Sequence, residues 1–244
     1  MDRISLSPSK LGDFKRCPRC FYDSYASKFP RPRGIFPSLP GGMDLIMKKY
    51  VDQYRGKLPP ALVGKVPGVL YSNLSQMNKW RNWRSGPTYN DYANNITLIG
   101  ALDDCLVDGD IYIPLDWKTK GSEPEDDGSQ YYQLQMDCYN LMLEAQGMRV
   151  REEAHLVYIY PVNACSLPEL PPEDVPEGVE YQNRAIVMFV LKPYQIKCNK
   201  ENALQAMLEA ADCLRGSRPA FNHGCEWCVH FKAIWALNNE QERG

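Results

Sequence analysis

The hydrophobic pattern opens on helix-start chemistry. SPSKLGDFKRC offers a Ser or Pro entry and then sets Leu11 and Phe14 on one side. A Pro- and Gly-rich run from Lys28 to Gly42 reads as a connector. Beyond it, Leu45, Ile46, Lys49, Tyr50 and Tyr54 are spaced for one face of a helix from about Met43 to Tyr54. Two β-rich runs follow, ITLIGALDDCLV and IYIPLDWKT, split by Asp108-Gly109-Asp110, whose Asp-Gly dipeptide is a hairpin signal. Gln130 to Gln146 predicts a long helix stopped by Gly147. A strand (AHLVYIY), an acidic Pro-rich loop, a strand (AIVMFVL), a helix from Glu201 to Leu214 and a cysteine-bearing tail complete the chain. No repeat or low-complexity segment interrupts this order. Strands and helices mixed around a central hairpin predict an α/β or α+β domain built on one sheet.

Composition narrows the class. The 244 residues suffice for one substantial core, and 44% hydrophobic with 24% charged residues is ordinary for a globular protein. The opening MDRISLSPSK lacks a signal-peptide pattern, and no apolar run approaches the ~18 residues of a membrane span, so a cytoplasmic protein away from membranes is expected. The net charge of -2 argues mildly against nucleic acid, but it hides an asymmetry. Arg3, Lys10, Lys15, Arg16, Arg19, Lys28, Arg31 and Arg33 face only Asp13 and Asp23 over the same stretch. The acid is pooled in Ser122–Asp127 and Pro168–Glu180, which read as loops. A basic face is compatible with that total.

The hairpin carries the candidate chemistry. With the turn at Asp108-Gly109, paired positions sum to 217 and Asp103 lies diagonal to Asp116; with the turn at Gly109-Asp110 they sum to 219 and the two acids face each other. Either register puts both carboxylates on one face, roughly 5–8 Å apart by backbone. Lys118 shares that face because side chains alternate along a strand. Two carboxylates and a lysine on one patch call for compensation. A divalent cation supplies it while accepting a substrate phosphate, and the lysine positions or helps deprotonate the nucleophile. Asp-x-Lys alone is a weak pattern, as Asp13-Phe14-Lys15 in a predicted helix shows, and a salt-bridged structural lysine is the plain alternative.

GALDD followed by PLDWKTKG resembles motifs of the PD-(D/E)XK nuclease superfamily, in particular its RecB-like branch, which includes CRISPR adaptation and AddB-type iron–sulfur nucleases. The opening ISLSPSKLGDFKRCPRCFY resembles that branch's Ser-x-Ser, Leu, aromatic, Cys-Pro signature, and Gln135-Met-Asp-Cys-Tyr139 its Gln-x-x-x-Tyr motif. The resemblance implies a restriction-endonuclease-like central mixed sheet flanked by helices. It implies a Mg2+- or Mn2+-dependent deoxyribonuclease, exonuclease-like on single-stranded or duplex ends and working with a helicase or recombination partner. Asp103 and Asp116 would hold the metal, Trp117 would offer a backbone carbonyl, and Lys118 would be the catalytic lysine. Gln135 and Tyr139, four apart on one helix face with Tyr131 a turn earlier, would approach the substrate. The branch's helical His or Glu has Asp44 as its best match here; a third carboxylate and a helix-start residue are its two readings.

Nine cysteines without a secretory signal argue against a disulfide framework. Cys105, Cys138, Cys165, Cys198 and Cys213 are isolated and suit apolar packing. Two Cys-x-x-Cys pairs, Cys17 with Cys20 and Cys225 with Cys228, would make a four-thiolate site if the ends converge. By resemblance this is a 4Fe–4S cluster, although two-plus-two spacing departs from the one-plus-three pattern of the branch and Zn2+ is the alternative. His223 and His230 are substitute ligands or surface residues. The expected organisation is one nuclease domain over 1–244, with 1–42 and 216–244 as a metal-binding lobe on a core of 44–215. In Lys79–Arg84, Trp80 and Trp83 alternate with basic residues, which suits either base stacking or core packing. A non-catalytic module that grips DNA or a partner, and a metal–thiolate structural or redox protein, are the rival readings.

Overall fold

The structure, a computed structural model, describes residues 3–32, 34, 38–166 and 185–241. In chain order the strands are β1 (Ile4–Leu6), β2 (Val69–Leu70), β3 (Thr88–Asp91), β4 (Ile96–Ile99), β5 (Asp104–Asp108), β6 (Ile111–Thr119), β7 (Arg149–Val150), β8 (Glu153–Ser166) and β9 (Ala185–Lys197). The helices are α1 (Pro8–Arg16), α2 (Pro18–Tyr25), α3 (Ser38–Asp52), α4 (Leu74–Trp80), α5 (Ser129–Ala145), α6 (Lys200–Arg215) and α7 (Glu226–Gln241). The expected mixed α+β architecture is present. A sheet ordered β2-β5-β6-β8-β9, with β7 beside β6, is accompanied by a small sheet ordered β1-β4-β3. Strand β8 runs parallel to β6, and α5 makes the crossover that a parallel pair requires.

Alternation along β6 sends its side chains to two different cores. Ile113, Leu115 and Trp117 join Leu106, Val157 and Ile159 under Met47 and Val51 of α3. On the opposite face Cys105, Leu156 and Tyr158 pack with Met136, Tyr139 and Met142 of α5 and with Ala203, Ala206 and Met207 of α6. The small side chains of α6 let its backbone lie close. Fully burying one of the leucines or isoleucines contributes roughly 1.5–3 kcal/mol.

Two expectations need correction. The run ITLIGALDDCLV is not one strand: β4 and β5 lie in different sheets, separated by Gly100–Asp103. Long-range main-chain bonds make the break, from Gly100 N–H to the Pro87 carbonyl at 3.2 Å and from Leu102 N–H to the Trp80 carbonyl at 2.9 Å. A Cβ at Gly86 would collide with the Gly100 carbonyl oxygen, so this close approach requires glycine. Helix α3 also begins earlier than Met43 and turns differently. Met47 and Val51 are its buried residues, whereas Leu45 and Ile46 are 64% and 60% exposed. Within the connector, Ser38 to Gly42 is therefore helical. The acidic run Pro168–Glu180 lies outside the described residues.

A buried ion network backs the hairpin on the α3 side. Arg55 donates to both carboxylate oxygens of Asp104 at 2.6 and 2.7 Å and to Asp52, and Arg81 pairs with Asp52 at 2.8 Å. The Trp117 indole N–H completes Asp104 at 3.3 Å. Asp104 has no solvent exposure, so loss of Arg55 leaves its buried charge with only a longer Arg81 contact at 3.4 Å and the Cys105 and Trp117 N–H groups. Arg55→Met is expected to lower unfolding free energy by about 3–5 kcal/mol. Urea denaturation checks this; a change under about 1 kcal/mol would show that Asp104 finds compensation elsewhere.

Candidate metal and substrate site

The hairpin adopts the Gly109-Asp110 turn, with Asp104 opposite Leu115 and Cys105 opposite Pro114, and Gly109 takes φ +65. This is the register in which position 103 falls opposite 116. The two carboxylates lie near enough for the Asp103 charge to help raise the Asp116 carboxyl. Lys118 projects from the same face and pairs with Asp116, its ammonium 4.7 Å from the Tyr132 ring centroid. Trp117 points its side chain the other way, into the α3 core.

Helix α5 brings the polar face expected of it. The Gln135 side-chain amide donates to Asp116 Oδ1 at 3.0 Å and to the Tyr139 hydroxyl at 2.7 Å. Tyr139 is buried, whereas Tyr131 is 75% exposed at the open end of the same face. Helix α3 delivers Asp44 as well. Asp44 Oδ2 lies 2.8 Å from Lys48 Nζ, which in turn lies 3.4 Å from Asp103 Oδ1. Lys48 is the residue that sequence reasoning missed. Its one signal was the i, i+4 spacing from Asp44.

Asp103 is positioned by its main chain. Arg81 Nε donates to the Asp103 carbonyl at 3.0 Å while the same guanidinium binds Asp52. The Lys79–Arg84 patch thus divides into three roles. Trp80 is fully buried, Arg81 braces the site, and Trp83 stands 55% exposed with the Arg84 guanidinium 4.5 Å from its ring centroid. Trp83, Tyr131 and Tyr132 line a groove of about 570 Å³ with Ser7, Gly12, Gly100 and Gln135. The groove borders the acid pair through Gln135, which lines it and donates to Asp116. Among the described residues, three of the basic side chains of the N-terminal stretch are in ion pairs: Lys15 with Glu209, Arg16 with Asp13, and Arg19 with Asp23. Asp13-Phe14-Lys15 is accordingly a surface pair of ion bridges on α1.

The acid cluster suits a divalent cation by its own chemistry. Burial, reinforced by Asp103 and opposed by Lys118, pushes the Asp116 carboxyl up to about 7. Its Oδ2 is buried without an aligned hydrogen-bond donor, although the Lys118 ammonium lies against it. An acid so placed is short of positive charge. Burial works against the Lys118 ammonium too, but Asp116 outweighs it and raises the amine. Asp116 on β6 and Asp103 just before β5 are two oxygen donors that could share a divalent cation.

The four cysteines converge. Cys17 at the start of α2 and Cys20 meet Cys225 and Cys228 at the start of α7, with sulfur separations of 3.6 Å (Cys17–Cys228) and 3.7 Å (Cys20 to Cys225 and to Cys228). All four ligand atoms lie within 4.8 Å of one another and are shielded by Trp227. Arg31 donates to Cys225 Sγ at 3.2 Å. Burial opposes ionisation of Cys225, yet the Cys228 N–H and the neighbouring thiols bring it down to about 7. This cluster can bind a metal and joins the N- and C-terminal regions. His223 and His230 are exposed and outside the cluster.

No family model and no curated protein matches the chain. Among solved structures it is similar to that of SSO0001, at 16% identity over 96% of this chain and 87% of that one, with a TM-score of 0.45. No helix among the described residues is long and apolar enough to cross a membrane.

Proposed function

We propose that this protein is a Mg2+- or Mn2+-dependent deoxyribonuclease that hydrolyses phosphodiesters of single-stranded ends, as its resemblance to RecB-like PD-(D/E)XK nucleases implies. The observation that carries the reading is the convergence of Asp103, Asp116 and Lys118 on one strand face beneath Gln135. Asp103, Asp116 and Asp44 would hold the metal, with the Trp117 carbonyl completing the donor set. Bound there, the cation acidifies a water and offsets charge growing on the phosphate. Lys118, an ammonium fixed by Asp116 and the Tyr132 ring, would position the attacking water and offset charge on the phosphate. Gln135 fixes Asp116 Oδ1, and Lys118 lies against Oδ2, the oxygen that a bound ion would share with it.

The groove supports a single strand over a duplex. Its walls are exposed aromatic rings beside a guanidinium, which stack on unpaired bases at about 1–3 kcal/mol each. Cleavage of end-labelled single- and double-stranded DNA, with each divalent metal in turn, tests the reading; no product with any metal would leave a binding module instead. Trp83→Ala is expected to raise KM for single strands roughly tenfold with little change in kcat. Equal KM values for variant and parent would remove Trp83 from the substrate path. A helicase or recombination complex in a cytoplasmic setting fits such an activity.

For the cysteine site, thiolates 3.6–3.7 Å apart approximate the edge of a tetrahedron with ~2.3 Å metal–sulfur bonds. That spacing supports one zinc ion, whereas a 4Fe–4S cluster, which the resemblance supports, would require the sulfurs to spread. A broad visible absorbance band in freshly purified protein identifies iron–sulfur; a colourless protein containing one zinc per chain identifies the other.

A further inference from the structure

The acid cluster contains a second ammonium that the nuclease reading leaves without a role. Asp103 and Asp116 lie together with Lys118 on Asp116, and Asp44 is linked to them through Lys48. Lys118 is committed to Asp116 and covers the Tyr132 ring. Lys48 instead spans Asp44 and Asp103, two of the three carboxylates assigned to the metal. Its ammonium and a divalent ion would therefore compete for the same oxygens. The two lysines bring a formal charge of -3 to -1, and removing Lys48 would return it to -2.

Lys48 is half-buried on α3, on a stem of four methylenes with freedom at its tip. Asp44 on its own helix and Asp103 from the hairpin are the charged groups that act on it most strongly among the described residues. Both contacts are single, monodentate ion pairs, unlike the forked Arg55–Asp104 bond below.

We propose that Lys48 is an exchangeable counter-ion: it holds Asp44 and Asp103 together in the metal-free protein, and a divalent ion displaces it onto a substrate phosphate. This rests on the nuclease reading. It makes metal and polyanion bind cooperatively, because each removes a cost of binding the other. The metal-free acids stay gathered, and tight metal binding awaits a phosphate to receive the freed ammonium.

The test is Mn2+ binding by the full chain with its cysteine site loaded, read from the signal of free Mn2+ by electron paramagnetic resonance. Thiolates do not obscure it, since Mn2+ prefers oxygen ligands. Lys48→Met is expected to bind Mn2+ about tenfold more tightly than the parent without DNA. Lys48→Arg, which keeps the charge, is expected to bind like the parent. A short phosphorothioate single strand should tighten Mn2+ binding to the parent severalfold and to Lys48→Met hardly at all. Equal or weaker Mn2+ binding by Lys48→Met, with folding verified by its melting transition, overturns the proposal. Asp103→Asn separates the two failures: if it binds Mn2+ as the parent does, the metal is not at these acids and the nuclease reading itself falls.

Discussion

Asp116→Asn is expected to reduce metal-dependent cleavage by more than about a hundredfold and, in the same protein, to raise the melting temperature measured in chelator at pH 8. The first effect follows from position. Loss of an outer-shell partner already costs metal sites about 10–100-fold, and Asp116, fixed by Gln135 and paired with Lys118, is a direct ligand in the proposed site. The second follows from linkage. Burial raises the folded carboxyl from 3.8 to about 7, so the folded form keeps a proton that the unfolded chain has already released. Stability from this group is therefore present below about pH 4, falls as pH rises toward 7, and stays low above that. Asparagine resembles the protonated acid at every pH. Its gain should be absent at pH 4 and complete at pH 8. Thermal melts across that range, beside single-turnover cleavage, check both halves. A variant that cuts at the parental rate would remove Asp116 from the chemistry; one that is less stable at pH 8 would show that its charge is fully compensated in the fold.

Cys225→Ser is expected to destabilise the protein by several kcal/mol and to open its ends. Cys20 and Cys225 close a loop of about two hundred residues, for which chain entropy alone suggests about 5 kcal/mol. Metal affinity at a site absent from the unfolded chain adds directly to folding free energy. The effect should also reach the groove, because Ser7, Gly12 and Arg16 of the α1 region form one of its walls immediately before Cys17. KM should consequently suffer more than kcat. Metal content, a denaturation curve and timed proteolysis of the C-terminal helix measure this. A metal-free variant that melts with the parent and resists protease equally would demote the cluster to a passenger.

The hairpin and the meeting of Asp103, Asp116 and Lys118 were legible in the sequence because Asp108-Gly109-Asp110 restricts the turn to two registers, and strand alternation then decides which residues share a face. The cysteine convergence was legible from spacing alone, given ends that meet. Helix α3 was not. Leu45 and Ile46 have core-like spacing, yet the sheet meets Met47 and Val51, and periodicity cannot state where a partner surface lies. The break at Gly100–Asp103 depends on bonds from Leu102 to Trp80 and from Gly100 to Pro87, partners 13 to 22 residues away. Lys48 escaped notice for the same reason. Its spacing from Asp44 is local, but its contact with Asp103 exists only after helix and hairpin have docked.

Asp103 and Asp104 are consecutive, and alternation sends one toward the groove and the other to Arg55. Under the proposed nuclease activity this neighbourhood couples turnover to the buried ion network, so substitutions at Arg55 or Asp52 are expected to slow cleavage as well as to lower stability.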